Sequence, residues 1–273
     1  MICWRLKVKM LKEVILEIEN LKLNYGSACV VKNSSLSLKK GQVLGIAGES
    51  GSGKSTLLKA IIDPSAHDVT VSGGCIRYKG ENTSAWTQKK RRTLKGVEIG
   101  MVLQNPNTTF NPIRPYKKQF IETLKSHNMW NGKASITTIN ALFSQLGLGD
   151  GVRILSSCPY EMSGGMNQRI SIALSMLLNP SLLLADEPTS ALDVTSQQQV
   201  IEELWRLRKM SALSMILVSH NMVTIAEICD VVAIMHQGEI VEQGDVREIL
   251  LAPKHWYTKK LLKAIPIAAG GVK

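Results

Sequence analysis

The run Gly48-Glu49-Ser50-Gly51-Ser52-Gly53-Lys54-Ser55 matches the spacing G-x-x-x-x-G-K-[ST] without a mismatch, and Thr56 follows it. Glycines at these positions let successive backbone N–H groups curl around a β-phosphate, while the helix that follows turns its positive end to the same anion. Lys54 supplies a point charge between the β- and γ-phosphates, and the Ser55 hydroxyl is placed to ligate Mg²⁺. The chemistry implied is the gripping of a magnesium-bound triphosphate such as ATP. Composition alone produces such a match in roughly one chain in a hundred of this size, so the flanking residues must decide it. Residues 43–47 read as an apolar strand and 57–62 follow helical spacing up to the stop at Asp63-Pro64. The order is strand, glycine loop, helix.

A second constellation is the apolar run Leu182-Leu183-Leu184-Ala185 ending in Asp186-Glu187. A strand buried on both faces delivers Asp186 to the carboxyl edge of a parallel sheet, the edge that also carries the glycine loop. From there Asp186 can hold magnesium through its water shell, and Glu187 can polarise an attacking water. An apolar run with an acidic end is by itself often no more than a strand meeting a turn. The glycine loop upstream is what gives this one a chemical reading.

The elements that must position these residues follow from patterning. Residues 14–18 and 43–47 read as strands, with Asn24-Tyr25-Gly26-Ser27 as a turn between them. Further strands are expected from Cys75 and from Ile99, the latter ending at Gln104 before an Asn- and Pro-rich loop. Residues 116–127 and 136–146 look helical and form an insertion of different texture. From 182 onward strand (182–185), helix (195–209), strand (215–219), helix (222–228) and strand (231–235) alternate, as βαβ units around a parallel sheet do. Residues 253–265 read as a last short helix.

Bulk properties narrow the class. The chain has 273 residues and is 44% hydrophobic, enough for one sizeable α/β core. Its longest apolar runs are strand-sized, far below the roughly 20 residues that span a bilayer. The basic start, residues 1–12, lacks the apolar stretch of a secretory signal and reads as an extension. Five scattered cysteines without a C-x-x-C pair argue against a zinc knuckle or a disulfide framework and fit a reducing cytoplasm. The net charge of +11 includes one compact run, Lys89-Lys90-Arg91-Arg92. No aromatic residues interleave it, so no nucleic-acid partner is expected.

Met162-Ser163-Gly164-Gly165-Met166, followed by Asn167-Gln168-Arg169 and standing shortly before the Asp186 strand, resembles the signature loop of ABC-type ATPases. Other elements of that family occur in order. Tyr25 looks like the aromatic that stacks on adenine, and Gln104 like the lid glutamine that senses magnesium and the membrane partner. Ser190-Ala191-Leu192-Asp193 is similar to the inter-subunit loop, and His220 to the switch histidine that touches the γ-phosphate. The resemblance spans residues 14 to about 266. It implies an α/β fold, a P-loop NTPase of the ABC type, with a mixed-sheet RecA-like core, an N-terminal antiparallel β part and an inserted α-helical subdomain near 105–178. One domain over 13–266 is expected between a 1–12 extension and a 267–273 tail.

The same resemblance implies that ATP and Mg²⁺ are the cofactors. Nucleotide contacts would come from Tyr25, Gly48, Glu49, Ser50, Gly51, Ser52, Gly53, Lys54, Ser55, Thr56 and Gln104, with Ser163, Gly164, Gly165 and Asp193 acting on a second subunit. Ser55, Gln104 and Asp186 would hold the metal, and Glu187, His220 and Lys54 would serve hydrolysis. Implied partners are a second ABC ATPase subunit, a paralogue, and two membrane-spanning permease subunits at the cytoplasmic face of the membrane, with an extracytoplasmic solute-binding protein acting indirectly.

Gln104-Asn105-Pro106 through Phe110-Asn111-Pro112 resembles the dipeptide, oligopeptide and nickel importers. Residues 161–166, 241–246 and 252–255 are similar to the nickel-type D subunit, which tips the solute towards nickel or a metal chelate. Tyr257-Thr258-Lys259-Lys260-Leu261-Leu262 with Ala264-Ile265-Pro266 looks more like the peptide importers. The ATP-binding component of a carbon–phosphorus lyase complex is the alternative from a soluble assembly. Three departures stand out: Met162 and Met166 in the signature loop, Asn221 after the switch histidine, and the absence of a C-terminal cysteine cluster, so no iron–sulfur cluster is expected.

Overall fold

The computed structural model describes residues 13–64, 68–210 and 213–264. The expected 1–12 extension and 267–273 tail lie outside the described residues, as do Ile265 and Pro266. Ten strands form one sheet: β1 (Val14–Tyr25), β2 (Ala28–Lys39), β3 (Val43–Ala47), β4 (Val69–Tyr78), β5 (Glu81–Asn82), β6 (Ile99–Val102), β7 (Leu182–Asp186), β8 (Ser214–Ser219), β9 (Val231–His236) and β10 (Glu239–Asp245), in the order β5-β4-β1-β2-β10-β9-β3-β8-β7-β6. Helices are α1 (Lys54–Ile62), α2 (Gln88–Leu94), α3 (Tyr116–Ser126), α4 (Gly132–Gln145), α5 (Gly151–Ser156), α6 (Gly164–Met176), α7 (Val194–Met210), α8 (Met222–Ile228), α9 (Val246–Leu251) and α10 (Trp256–Lys263).

The sheet has two characters. β9, β3, β8, β7 and β6 run parallel, whereas β1, β2, β4 and β5 pair antiparallel. Side chains alternate across the parallel strands, because successive residues of a strand point to opposite faces. Leu183, Ala185, Met215, Leu217, Val232 and Ile234 enter one core with the helices of the 105–178 region. Leu182, Leu184, Ile216, Val218, Ala233 and Met235 enter the other, with α1 and the antiparallel strands. β3, β7 and β8 are buried on both faces, which is why each reads as an unbroken apolar run.

Between β6 and β7 the chain builds the helical insertion, α3 to α6. Phe120 and Phe143 meet edge to face at 5.4 Å, and Phe110 meets Tyr116 at 5.0 Å. The Arg169 guanidinium donates to the fully buried Glu203 carboxylate of α7 and, at 3.0 Å, to the Gly147 carbonyl. That cation therefore ties α6 to both α7 and the loop leaving α4.

The hairpin of β1 and β2 extends well beyond the expected 14–18 strand. Tyr25 pairs with Ala28, so only Gly26 and Ser27 remain as a turn. Register shifts and the left-handed backbone of Asn20 (φ 47°) break the alternation along β1, which hides its second half from a periodicity reading. The basic run 89–92 lies on α2, where Lys90 pairs with Glu81 and Arg91 donates to the Thr83 carbonyl. Among the described residues, no helix is long and apolar enough to cross a membrane.

Candidate functional site

The parallel strands bring three chain segments to one edge. Ala47 at the end of β3 pairs with Ser219 at the end of β8, and Asp186 at the end of β7 pairs with Val218. The glycine loop therefore leaves the sheet beside the Asp186-Glu187 turn and the His220 turn. Gly48 lets the loop pass close to β9: a Cβ there would stand 2.1 Å from the Met235 carbonyl oxygen. Gly53, in the left-handed region at φ 103°, turns the loop into α1.

Lys54 is only 4% exposed, and its ammonium donates to the carbonyls of Gly48 (2.9 Å) and Glu49 (2.8 Å). Burial lowers its pKa from the ordinary lysine value, with the Glu187 and Asp186 charges acting in the opposite direction. The Ser55 hydroxyl donates to Asp186 Oδ1 at 2.8 Å. Burial raises the Asp186 carboxyl above the usual aspartate range, the Ser55 hydrogen bond lowers it, and the Glu187 charge adds to the rise. These two oxygens, a hydroxyl and a carboxylate side by side, are the hard donors that suit Mg²⁺.

Glu187 adopts φ 43°, a left-handed backbone uncommon for a residue with a side chain. Its N–H donates to the Val218 carbonyl at 3.0 Å, which holds the turn, and its carboxylate Oε2 lies 3.0 Å from His220 Nδ1. His220 is thus aimed at Glu187, while the adjacent Asn221, the departure from the family pattern, caps α8 by accepting from the Val223 N–H at 2.9 Å. Strain at a polar, partly exposed turn marks a place where backbone geometry serves the side chain.

These groups face a cleft of about 560 Å³ lined by Glu49, Ser50, Gly51, Gly53, Lys54, Ser55, Thr56, Gln104, Glu187 and His220, together with Val30 of β2. Asp186 joins it through Ser55. No motif marks Val30; its only signal in the sequence is its nearness to the Tyr25 turn. Tyr25, 55% exposed at the hairpin end, does not line this cleft.

Ser163, Gly164, Gly165 and Asp193 also lie elsewhere, in a second cluster. Ser163 caps α6 by accepting from the Met166 N–H at 3.2 Å. Asp193 accepts from the Ser196 N–H at 3.0 Å at the start of α7. The two helix starts touch: a Cβ on Gly165 would stand 2.4 Å from Ser196 Oγ. Ser163→Ala removes the α6 cap and is expected to cost about 1 kcal/mol of stability, read as a lower denaturant midpoint at unchanged slope; an unmoved midpoint would contradict the cap.

Comparisons with known proteins identify the family and the fold. The family model described as ABC transporter matches residues 31–190. The dipeptide transport ATP-binding protein DppD of Escherichia coli (strain K12) is 36% identical over 256 residues, covering 92% of this chain and 78% of the relative. The oligopeptide transport ATP-binding protein OppD of Lactococcus lactis subsp. cremoris (strain SK11) is 38% identical over 233 residues, covering 85% and 69%. A solved dimeric structure of an ATP-binding cassette in a post-hydrolysis state, bound to ADP and Pi, shares the fold with a TM-score of 0.73 at 23% identity, covering 85% of this chain and 99% of that one. With its glycine loop and carboxylate strand end meeting at one sheet edge, this chain belongs to the ABC transporter family.

Proposed function

We propose that this chain is the ATP-hydrolysing subunit of a peptide importer, one cassette spanning 13–266 that works at the cytoplasmic face of the membrane. The observation that carries the reading is the convergence on one cleft of the buried Lys54 ammonium, the Ser55–Asp186 pair and the Glu187–His220 pair. Relatives named for dipeptide and oligopeptide transport favour peptides over the nickel chelates towards which the sequence motifs tip.

In this reading the triphosphate of ATP lies along the glycine loop, its β- and γ-oxygens meeting Lys54 and the amides at the start of α1. The Glu187 carboxylate, oriented by His220, accepts a hydrogen bond from the attacking water, which then adds to the γ-phosphorus as the bond to the β-phosphate oxygen breaks. ADP and inorganic phosphate result. Ser55 and Asp186 would hold Mg²⁺, with Gln104 at the cleft rim; the ion, when bound, neutralises charge on the phosphate oxygens. Tyr25, at the hairpin end outside the phosphate cleft, is the residue that the family resemblance assigns to stacking on adenine.

Because Ser163, Gly164, Gly165 and Asp193 sit outside this cleft, they act on the nucleotide of a second ATPase subunit, a paralogue, and each cleft is completed in trans. Two permease subunits receive the motion, and an extracytoplasmic binding protein supplies the solute. The test is ATP hydrolysis by the assembled transporter in membranes with peptide-loaded binding protein added. Stimulation by peptides is expected. Stimulation by a nickel chelate alone would reassign the solute, and titration of the chain with magnesium nucleotide without heat would remove the ATPase reading.

A further inference from the structure

Tyr257 is fully buried although α10 is the last described helix. Its ring lies on the His236 imidazole, 3.9 Å between centroids and tilted by 27°, and its hydroxyl accepts a hydrogen bond from the Glu49 backbone N–H at 2.9 Å. That N–H belongs to the same peptide unit as the Gly48 carbonyl, which accepts from the Lys54 ammonium at 2.9 Å. A peptide unit is rigid and planar, so its N–H and C=O point in opposite directions. One end is held by Tyr257 and the other holds Lys54; rotating the unit breaks both bonds together.

The surroundings keep this arrangement fixed. The residue before His236, Met235, presses its carbonyl against Gly48. The start of α10 is tied to β10 by the Lys254 and His255 N–H groups, which donate to the Glu242 carboxylate at 2.7 and 3.1 Å. Lys260 pairs with the Glu49 carboxylate at 3.2 Å, but both side chains are more than half exposed, and such a pair contributes little. The buried hydroxyl is the contact that matters.

We propose that Tyr257 is a positioning residue for the nucleotide site, setting the Gly48–Glu49 peptide plane and through it the Lys54 ammonium. The proposal rests on the ATPase reading and deepens it: α10 takes part in forming the phosphate cradle, so whatever moves it tunes nucleotide affinity. Tyr257→Phe keeps the ring and its stack on His236 and deletes only the acceptor.

In the full-length chain, with a fluorescent ATP analogue and Mg²⁺ as probe, Y257F is expected to weaken binding roughly 3- to 10-fold. Placed on top of K54A it is expected to add less than about twofold, because both changes act on one linked pair. Unchanged affinity for Y257F, or the same loss in both backgrounds, overturns the proposal. Hydrogen exchange at the Glu49 amide separates its failure from failure of the ATPase reading, since it needs no nucleotide. Protection in the wild-type chain that disappears in Y257F is expected; an unprotected Glu49 amide in the wild-type chain overturns the proposal even if Y257F does not fold.

Discussion

Glu187→Gln is expected to bind MgATP with near wild-type affinity and to hydrolyse it slower by roughly 10²- to 10⁴-fold, the range that a positioned general base contributes. Glutamine has the same shape and keeps an oxygen for the 3.0 Å contact with His220 Nδ1. It also tolerates the φ of 43° no worse than glutamate does, so the turn and the cleft persist. What disappears is the carboxylate charge facing the attacking water. The measurement is a single-turnover rate in the assembled transporter, with the partner subunit's site inactivated so that it cannot supply the hydrolysis. A rate within a few-fold of wild type would remove Glu187 from the mechanism.

The residues of that mechanism were legible because their geometry is nearly local. Lys54 and Ser55 are fixed by the covalent spacing of the loop, and the parallel strands β3, β7 and β8, buried on both faces, announce themselves as continuous apolar runs. The apolar run 182–185 puts Asp186 at the carboxyl edge of the sheet, whereas His220 is marked only by resemblance and reaches that edge through the pairing of β8 with β3 and β7. The helical insertion was legible as texture, although α4 begins at Gly132 rather than at 136, since Gly132, Lys133 and Ala134 are exposed and carry no large apolar side chain to mark the helical spacing.

What stayed hidden depends on contacts distant along the chain. The second half of β1 and all of β2 pair through shifted registers, and residues such as Asn33-Ser34-Ser35 have little strand propensity of their own. The signature loop and the inter-subunit loop were each recognisable, but only packing brings Gly165 against Ser196. Tyr257 lies 208 residues from Glu49, and nothing in its sequence neighbourhood encodes the hydrogen bond to the glycine loop. A tertiary hydrogen bond to a backbone amide leaves no pattern at either end.

Lys54→Ala is the complementary case, in which binding rather than turnover collapses. Charge-assisted hydrogen bonds of the kind an ammonium makes to phosphate are worth about 1.5–3 kcal/mol each, so loss of the ammonium is expected to weaken MgATP binding roughly 10- to 100-fold. The environment makes the loss hard to repair. The ammonium is 4% exposed and held by two carbonyls of the loop itself, and burial has already lowered its pKa against the pull of Glu187 and Asp186. Without it, the Gly48 and Glu49 carbonyls lose their donor, and the two carboxylates face the triphosphate with no protein cation between them. Lys54→Arg restores charge but not shape, since a planar guanidinium is too broad for a seat that fits a compact ammonium. It is therefore expected to remain impaired. A fluorescent ATP analogue read at constant Mg²⁺ measures both variants, with circular dichroism to verify the fold. Affinity for K54A within twofold of wild type would mean that the loop amides alone hold the phosphates, and the role given to Lys54 would fall.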